Sequence, residues 1–329
     1  MKSREQKTDK GRKKGRVRWG VIYVAVFLVV FAVSVMIKLT YNPLEKKYKV
    51  IWNDDVGRVY TDLPYGEGEA NQFDLYVPAD NHKKSYGLIV YLHAGGFTSG
   101  DKSGDAEMLK YLCAKGYVTA GINYTLFGEE HPEANVYTQS QEIKESIPAV
   151  VKEAEKLGYQ LDRMAISGGS AGGCLALIYA YRDADDSPIP VKMLFEMVGP
   201  ASFYHEDWTS YGLDKSPEAA ANLFSVMSGR TITKDMILEH DYAEEVKDIS
   251  ADMWVKEDSV PALLGYGTYD KVCPVDSAKR LIDALEENNV PYDYIEFPHS
   301  GHGLQNDNKL YVQYMDKLDE YLERYLGGE

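Results

Sequence analysis

The residues with the strongest chemical signal are Gly168-Gly169-Ser170-Ala171-Gly172. They lie where the short apolar run Met164-Ala165-Ile166 gives way to the helix-compatible Cys174-Leu175-Ala176-Leu177. A strand that turns sharply into a helix exposes the hydroxyl of a serine at the turn, and small residues on either side let the crossing backbones pass. A serine hydroxyl is a poor nucleophile at neutral pH. It needs a base to take its proton and a carboxylate to fix that base's tautomer and stabilise its charged form. The same five residues also suit an ordinary Gly/Ser turn, so the partners decide.

A base is expected after the last strand. In Pro298-His299-Ser300-Gly301-His302-Gly303, His302 sits between two glycines that allow an exposed loop tip, whereas His299 follows Pro298 and suits a role in shaping the turn. His302 is therefore read as the base and His299 as its local competitor. The acid is sought at the end of the preceding strand, where Leu263-Leu264-Gly265-Tyr266-Gly267-Thr268-Tyr269-Asp270 ends in a carboxylate; Asp276 falls at the start of the following helix as an N-terminal charge. The chain order Ser170, Asp270, His302 is the one that belongs to a nucleophile-elbow architecture. Acyl transfer also needs donors for a developing oxyanion. Gly95 and Gly96, in the turn His93-Ala94-Gly95-Gly96-Phe97, and the N–H of Ala171 are the residues expected to supply them. His93 is read as a buttress of that turn, and Gly100-Asp101-Lys102 either anchors the turn or is an ordinary turn itself. His82, His131, His205 and His240 lie in loop or insertion contexts without a catalytic frame and read as surface or substrate-contact residues.

Elements able to position these groups alternate along the chain. Apolar runs at 73–77, 88–92, 117–122, 164–166, 191–195, 261–264 and 292–297 read as strands, and helical periodicity marks 106–115, 141–157, 171–181, 275–288 and 308–325. Such alternation predicts a mostly parallel sheet with helices on both faces. The stretch 203–259 breaks the rhythm. It is polar and partly helical, over 217–227 and 234–245, and reads as a lid-like insertion or pocket wall ahead of the acid-bearing strand.

The chain has 329 residues, which suits one large α/β domain with an appendage. Its formal net charge of −15 conceals an asymmetry. The first 19 residues contribute +7 and Lys38 one more, which leaves −23 for residues 40–329. So acidic a body argues against a nucleic-acid partner, since phosphate binding relies on clustered Lys and Arg. Residues 1–18 read as a basic cytoplasmic tail, 19–39 as a transmembrane signal anchor and 40–54 as a linker, followed by a catalytic domain over 55–329. From Trp19 to Ile37 no residue is charged, and as a helix this run spans roughly 28 Å, close to the hydrocarbon core of a bilayer. The basic flank places the N-terminus in the cytoplasm and the domain outside, in a single-pass cell-membrane topology. The alternative is secretion after cleavage near Ala32-x-Ser34. The three cysteines, Cys113, Cys174 and Cys273, show neither C-x-x-C pairing nor zinc-ligand spacing with histidines; one disulfide stays open, small core residues are the simpler reading, and no metal or organic cofactor is expected.

Over residues 55–326 the chain resembles an α/β-hydrolase of the esterase/lipase group, related to hormone-sensitive lipase and to bacterial feruloyl-esterase-like carboxylesterases. His93-Ala94-Gly95-Gly96-Phe97 is similar to that group's His-Gly-Gly-Gly-aromatic turn with the second position changed. Asn123-Tyr124-Thr125-Leu126 has threonine where the lipase-like branch has arginine, while Gly267–Asp270 and Gly301-His302-Gly303 resemble the acid and histidine loops of the feruloyl-esterase-like branch. The resemblance implies a serine esterase and carries catalytic roles over to Ser170, Asp270 and His302 but no substrate; the outward-facing topology suggests a small-molecule or glycan-borne ester. A serine peptidase or acyltransferase on the same fold is one alternative, and a catalytically idle, membrane-anchored binding module is the other.

Overall fold

The computed structural model describes residues 47–327. The expected tail and anchor over 1–39 lie outside them. Among the described residues no helix is long and apolar enough to cross a membrane. Residues from Val50 onward form one compact unit.

An eight-stranded sheet runs through that unit. Its strands are β1 (Gly57–Pro64), β2 (Gln72–Pro78), β3 (Tyr86–Leu92), β4 (Val118–Ile122), β5 (Leu161–Gly169), β6 (Val191–Met197), β7 (Ala262–Gly267) and β8 (Tyr292–Phe297), in the spatial order β1-β2-β4-β3-β5-β6-β7-β8. β1 and β2 pair antiparallel, as do β2 and β4; every other neighbouring pair is parallel. The expected strands are all present. β1 is an addition that sequence periodicity did not reveal, because it is a half-exposed edge strand with polar Arg58, Thr61 and Asp62, and a bulge interrupts its alternation where Asp62 takes a φ of 56°.

The long helices are α1 (Ala106–Ala114), α2 (Val136–Lys156), α3 (Ala171–Ile178), α4 (Pro217–Ser228), α7 (Val275–Glu287) and α8 (Asn308–Tyr321); α5 (Lys234–Leu238) and α6 (Ala243–Val246) are short. α2 starts five residues earlier than its apolar periodicity suggests. The Asn135 side chain accepts from the Thr138 N–H while the Thr138 hydroxyl returns to the Asn135 N–H, a capping box that carries the helix back to Val136. The predicted helix over 234–245 is instead two pieces, because His240 takes a left-handed φ of 54° and α5 ends before it.

Both sheet faces are covered. In β3, Leu88, Val90 and Leu92 join a core with Ile143, Ile147 and Val150 of α2 and the buried face of α3, while Tyr91 packs with Leu109 and Cys113 of α1 on the other side. The insertion is not a loose flap. Phe203, Trp208, Phe224 and Tyr242 pack on one another, partly stacked and partly edge-on, with centroids 5.3 to 6.1 Å apart, and continue the main core. All three cysteines are free and buried.

Candidate active site

Ser170 follows directly on β5 with φ 54° and ψ −120°, and α3 begins at the next residue. This is a sparsely populated backbone region, held here because Gly168 and Gly172 on either side lack side chains. A Cβ on Gly168 would lie 2.4 Å from the carbonyl of Gly172, and one on Gly172 would lie 2.0 Å from the carbonyl oxygen of Leu92. The glycine spacing around Ser170 is therefore a steric requirement of the turn. The Ser170 N–H is tied to the carbonyl of Met197 in β6, which fixes the turn from the other side.

The parallel register brings the other groups to the same edge. β3, β5, β7 and β8 all point their carboxyl ends the same way, with Leu92 opposite Gly168 and Gly267 opposite Phe297. Asp270 leaves β7 and His302 leaves β8, and the two loops are laced together by Tyr269 N–H to Ser300 carbonyl and Thr268 N–H to Phe297 carbonyl. They approach so closely that a Cβ on Gly267 would lie 2.5 Å from the Gly301 oxygen. His302 Nε2 lies 2.8 Å from Ser170 Oγ, and His302 Nδ1 lies 2.7 Å from Asp270 Oδ2. The other Asp270 oxygen accepts N–H bonds from Val272 and Cys273 at 2.8 and 2.9 Å, and its side chain has no exposed surface. With Oδ1 held by the backbone, Oδ2 is presented to the imidazole. His299 turns elsewhere: its Nδ1 meets Asp307 at 2.8 Å and its side chain is 76% exposed.

The glycine turn after β3 is braced rather than free. Gly95 has φ 138° and Gly96 has φ 61°, and a Cβ on Gly95 would lie 1.8 Å from the Ser99 carbonyl oxygen. His93 is buried, stacks on Tyr124 at 4.3 Å with the rings 5° from parallel, and approaches the Ala94 carbonyl through Nδ1 at 2.8 Å; burial pushes its pKa down. Gln139 of α2 donates to the carbonyls of both Phe97 and Thr125. Gly100-Asp101-Lys102 anchors the turn to the end of β4: Asn123 donates to Asp101 and accepts from the Lys102 N–H, while the buried Lys102 ammonium meets Asp62 at 2.7 Å and Asp74 at 3.2 Å. Thr125, standing where a related branch has arginine, offers its N–H to Glu142. Among the described residues, the N–H groups of Gly95 and Gly96 donate to no other protein group.

Behind the serine turn lies a carboxyl that sequence reading passed over. Glu196 of β6 is buried, accepts from the Gly199 N–H through Oε2 at 2.8 Å, and leaves Oε1 without a hydrogen-bond partner among the described residues. Oε2 would be 2.9 Å from a Cβ on either Gly173 or Gly199, so the carboxyl fills the gap between α3 and the end of β6. Burial lifts its pKa from the usual 4.5 to about 8. A lone Glu in an apolar strand, Leu194-Phe195-Glu196-Met197, was the available signal.

Residues 73–285 match the family BD-FAE, well over half of the chain. The chain belongs to the BD-FAE family. A curated relative, a probable carboxylic ester hydrolase named LipM from Mycobacterium tuberculosis, is 25% identical over 250 residues, which are 74% of this BD-FAE chain and 56% of the relative. The chain thus spans little more than half the length of that relative. Among solved structures, a truncated carbohydrate esterase from gut microbiota superposes with a TM-score of 0.66 at 19% identity, covering 83% of this chain and 98% of that one. Esterase B from Lactobacillus rhamnosis gives 0.63 at 19% identity, covering 91% and 95%. These likenesses identify the fold as α/β-hydrolase, in agreement with the strand order and the serine turn.

Proposed function

We propose that this BD-FAE chain is a serine esterase. The observation that carries the reading is the unbroken chain of contacts from Ser170 Oγ through His302 to Asp270, at 2.8 and 2.7 Å, at the carboxyl edge of the sheet. In the proposed reaction His302 takes the proton of Ser170 as the oxygen attacks an ester carbonyl. The N–H groups of Gly95, Gly96 and Ala171 stabilise the oxyanion. His302 then protonates the leaving alcohol, and water, activated by the same imidazole, releases the acid from the acyl-enzyme. Asp270 holds the imidazole in the tautomer that leaves Nε2 free to accept. The names of LipM and of the solved esterases support an ester bond, and the carbohydrate-esterase likeness supports a small-molecule or glycan-borne ester.

A fluorophosphonate probe tests this. The full chain should be labelled stoichiometrically on Ser170, and Ser170→Ala should lower hydrolysis of a short-chain aryl ester by about three orders of magnitude or more. Unlabelled, folded protein with no ester turnover would end the proposal and leave an idle binding module.

We further infer that residues 19–39 anchor the chain in the cell membrane with its hydrolase domain outside, a reading supported by the uncharged run from Trp19 to Ile37 behind a basic flank. Alkaline extraction of membranes from expressing cells should leave the chain in the pellet at full mass; release of a shortened, soluble chain would mean cleavage instead.

A further inference from the structure

The insertion brings together three side chains that the sequence keeps apart. His205 and Glu206 lie on the segment leading out of β6, and His240 lies at the left-handed bend between α5 and α6. His240 Nδ1 is 2.9 Å from one Glu206 oxygen, and His205 Nδ1 is 3.3 Å from the other. The two imidazole centroids are 5.4 Å apart, and one ligand atom from each of the three residues lies within 4.8 Å of the others. No lysine or arginine among the described residues forms a salt bridge with Glu206; the neighbouring Arg280 is taken by Asp207. One carboxylate is thus paired with two imidazoles, while the nearby Arg280 charge is paired with Asp207.

That donor set has a chemical preference. Two imidazole nitrogens and one carboxylate oxygen suit a zinc-class divalent ion, whereas magnesium and calcium favour oxygen-only sets. Around a tetrahedral ion with ligands at about 2.0–2.2 Å, donor atoms sit roughly 3.3–3.5 Å apart, so the present separations need only small side-chain adjustments to admit one. Tyr242 braces one of these histidines: its hydroxyl accepts from the His205 backbone N–H at 3.0 Å and lies 3.0 Å from His205 Nδ1, which fixes the ring's position. His205 is buried while Glu206 and His240 are exposed, so the cluster is rigid on one side and open to solvent on the other.

We propose that His205, Glu206 and His240 form a Zn2+-binding site that fastens the α5–α6 bend to the segment carrying Tyr211. That segment reaches the proposed acid loop. The Tyr211 hydroxyl donates to the Val272 carbonyl at 2.8 Å, and the Val272 N–H in turn donates to Asp270. An ion here holds the outer edge of the insertion against its own core, and its binding stands apart from the esterase reading.

The test uses the full chain, stripped with chelator and titrated with Zn2+ alone by calorimetry and by equilibrium dialysis with metal analysis. The expected result is one Zn2+ per chain at micromolar or tighter affinity, with a rise in thermal midpoint as Zn2+ is added. His240→Ala and Glu206→Gln, both at exposed side chains, should keep the circular dichroism of the parent, weaken binding by about tenfold or more and abolish the thermal shift. His82→Ala, remote from the cluster, should leave both unchanged. Cobalt(II) should give visible ligand-field bands in the parent that His240→Ala lacks. No uptake by the parent at about 100 μM Zn2+, or uptake that His240→Ala leaves within tenfold, overturns the proposal; the second outcome would assign the ion to another imidazole such as His302.

Discussion

Glu196 offers a prediction whose size follows from its surroundings. A carboxyl with an ordinary pKa of 4.5 in the unfolded chain and one of about 8 in the fold binds its proton more tightly when folded. Between those two values the native state therefore holds more protons than the unfolded state, and stability from this group falls as pH rises. It is fully present below pH 4.5 and lost progressively toward pH 8. At about 1.4 kcal/mol per pH unit, the loss from pH 4.5 to pH 7 is on the order of 3 kcal/mol. Glu196→Gln keeps the shape and the acceptor for the Gly199 N–H but cannot titrate. Its new amide N–H2 takes the place of Oε1, which has no hydrogen-bond partner among the described residues, so a pH-independent cost of about 1–3 kcal/mol is expected. The informative quantity is thus the slope. Urea unfolding of parent and variant at half-unit steps from pH 4.5 to 8 should give stability curves that converge or cross as pH rises, the variant gaining on the parent by roughly 3 kcal/mol by pH 7. Parallel curves would refute the argument, because they would mean that Glu196 is as easily ionised in the fold as outside it.

Two further outcomes follow from the site. His302→Ala should abolish fluorophosphonate labelling, whereas His299→Ala should retain ester turnover within a few-fold, because its ring faces Asp307; equal losses in the two variants would undo the assignment of the base. Gly172→Ala should cost about 3 kcal/mol or more in urea denaturation, since its Cβ would meet backbone oxygens of Leu92 and His93 at 2.0 and 2.7 Å that cannot move without displacing the end of β3; an unchanged midpoint would show that the turn is softer than its contacts imply.

Much of the architecture was legible because its signals are local. Seven strands and the long helices outside the insertion announced themselves by periodicity and by small residues at their ends. The Gly168-x-Ser170-x-Gly172 frame was legible for a related reason: the steric demand of the turn falls on residues two positions away in the chain. β1 escaped because a half-exposed edge strand needs no apolar alternation, and the break in the predicted 234–245 helix escaped because the preference of one histidine for a left-handed bend is weak against its neighbours' helical periodicity.

Residue types and their order determined that the chain carries a serine turn followed by an acid loop and a histidine loop, and that residues 203–259 stand outside the strand–helix rhythm. The glycines beside His302 already favoured it over His299, and tertiary structure supplied the partners that separate the two, Asp270 for His302 and Asp307 for His299. It also decided that His205 and His240 converge on Glu206 and that Glu196 is enclosed behind the turn. Those facts depend on which distant segments pack together, and a sequence records the residues that make such contacts without recording the distances between them.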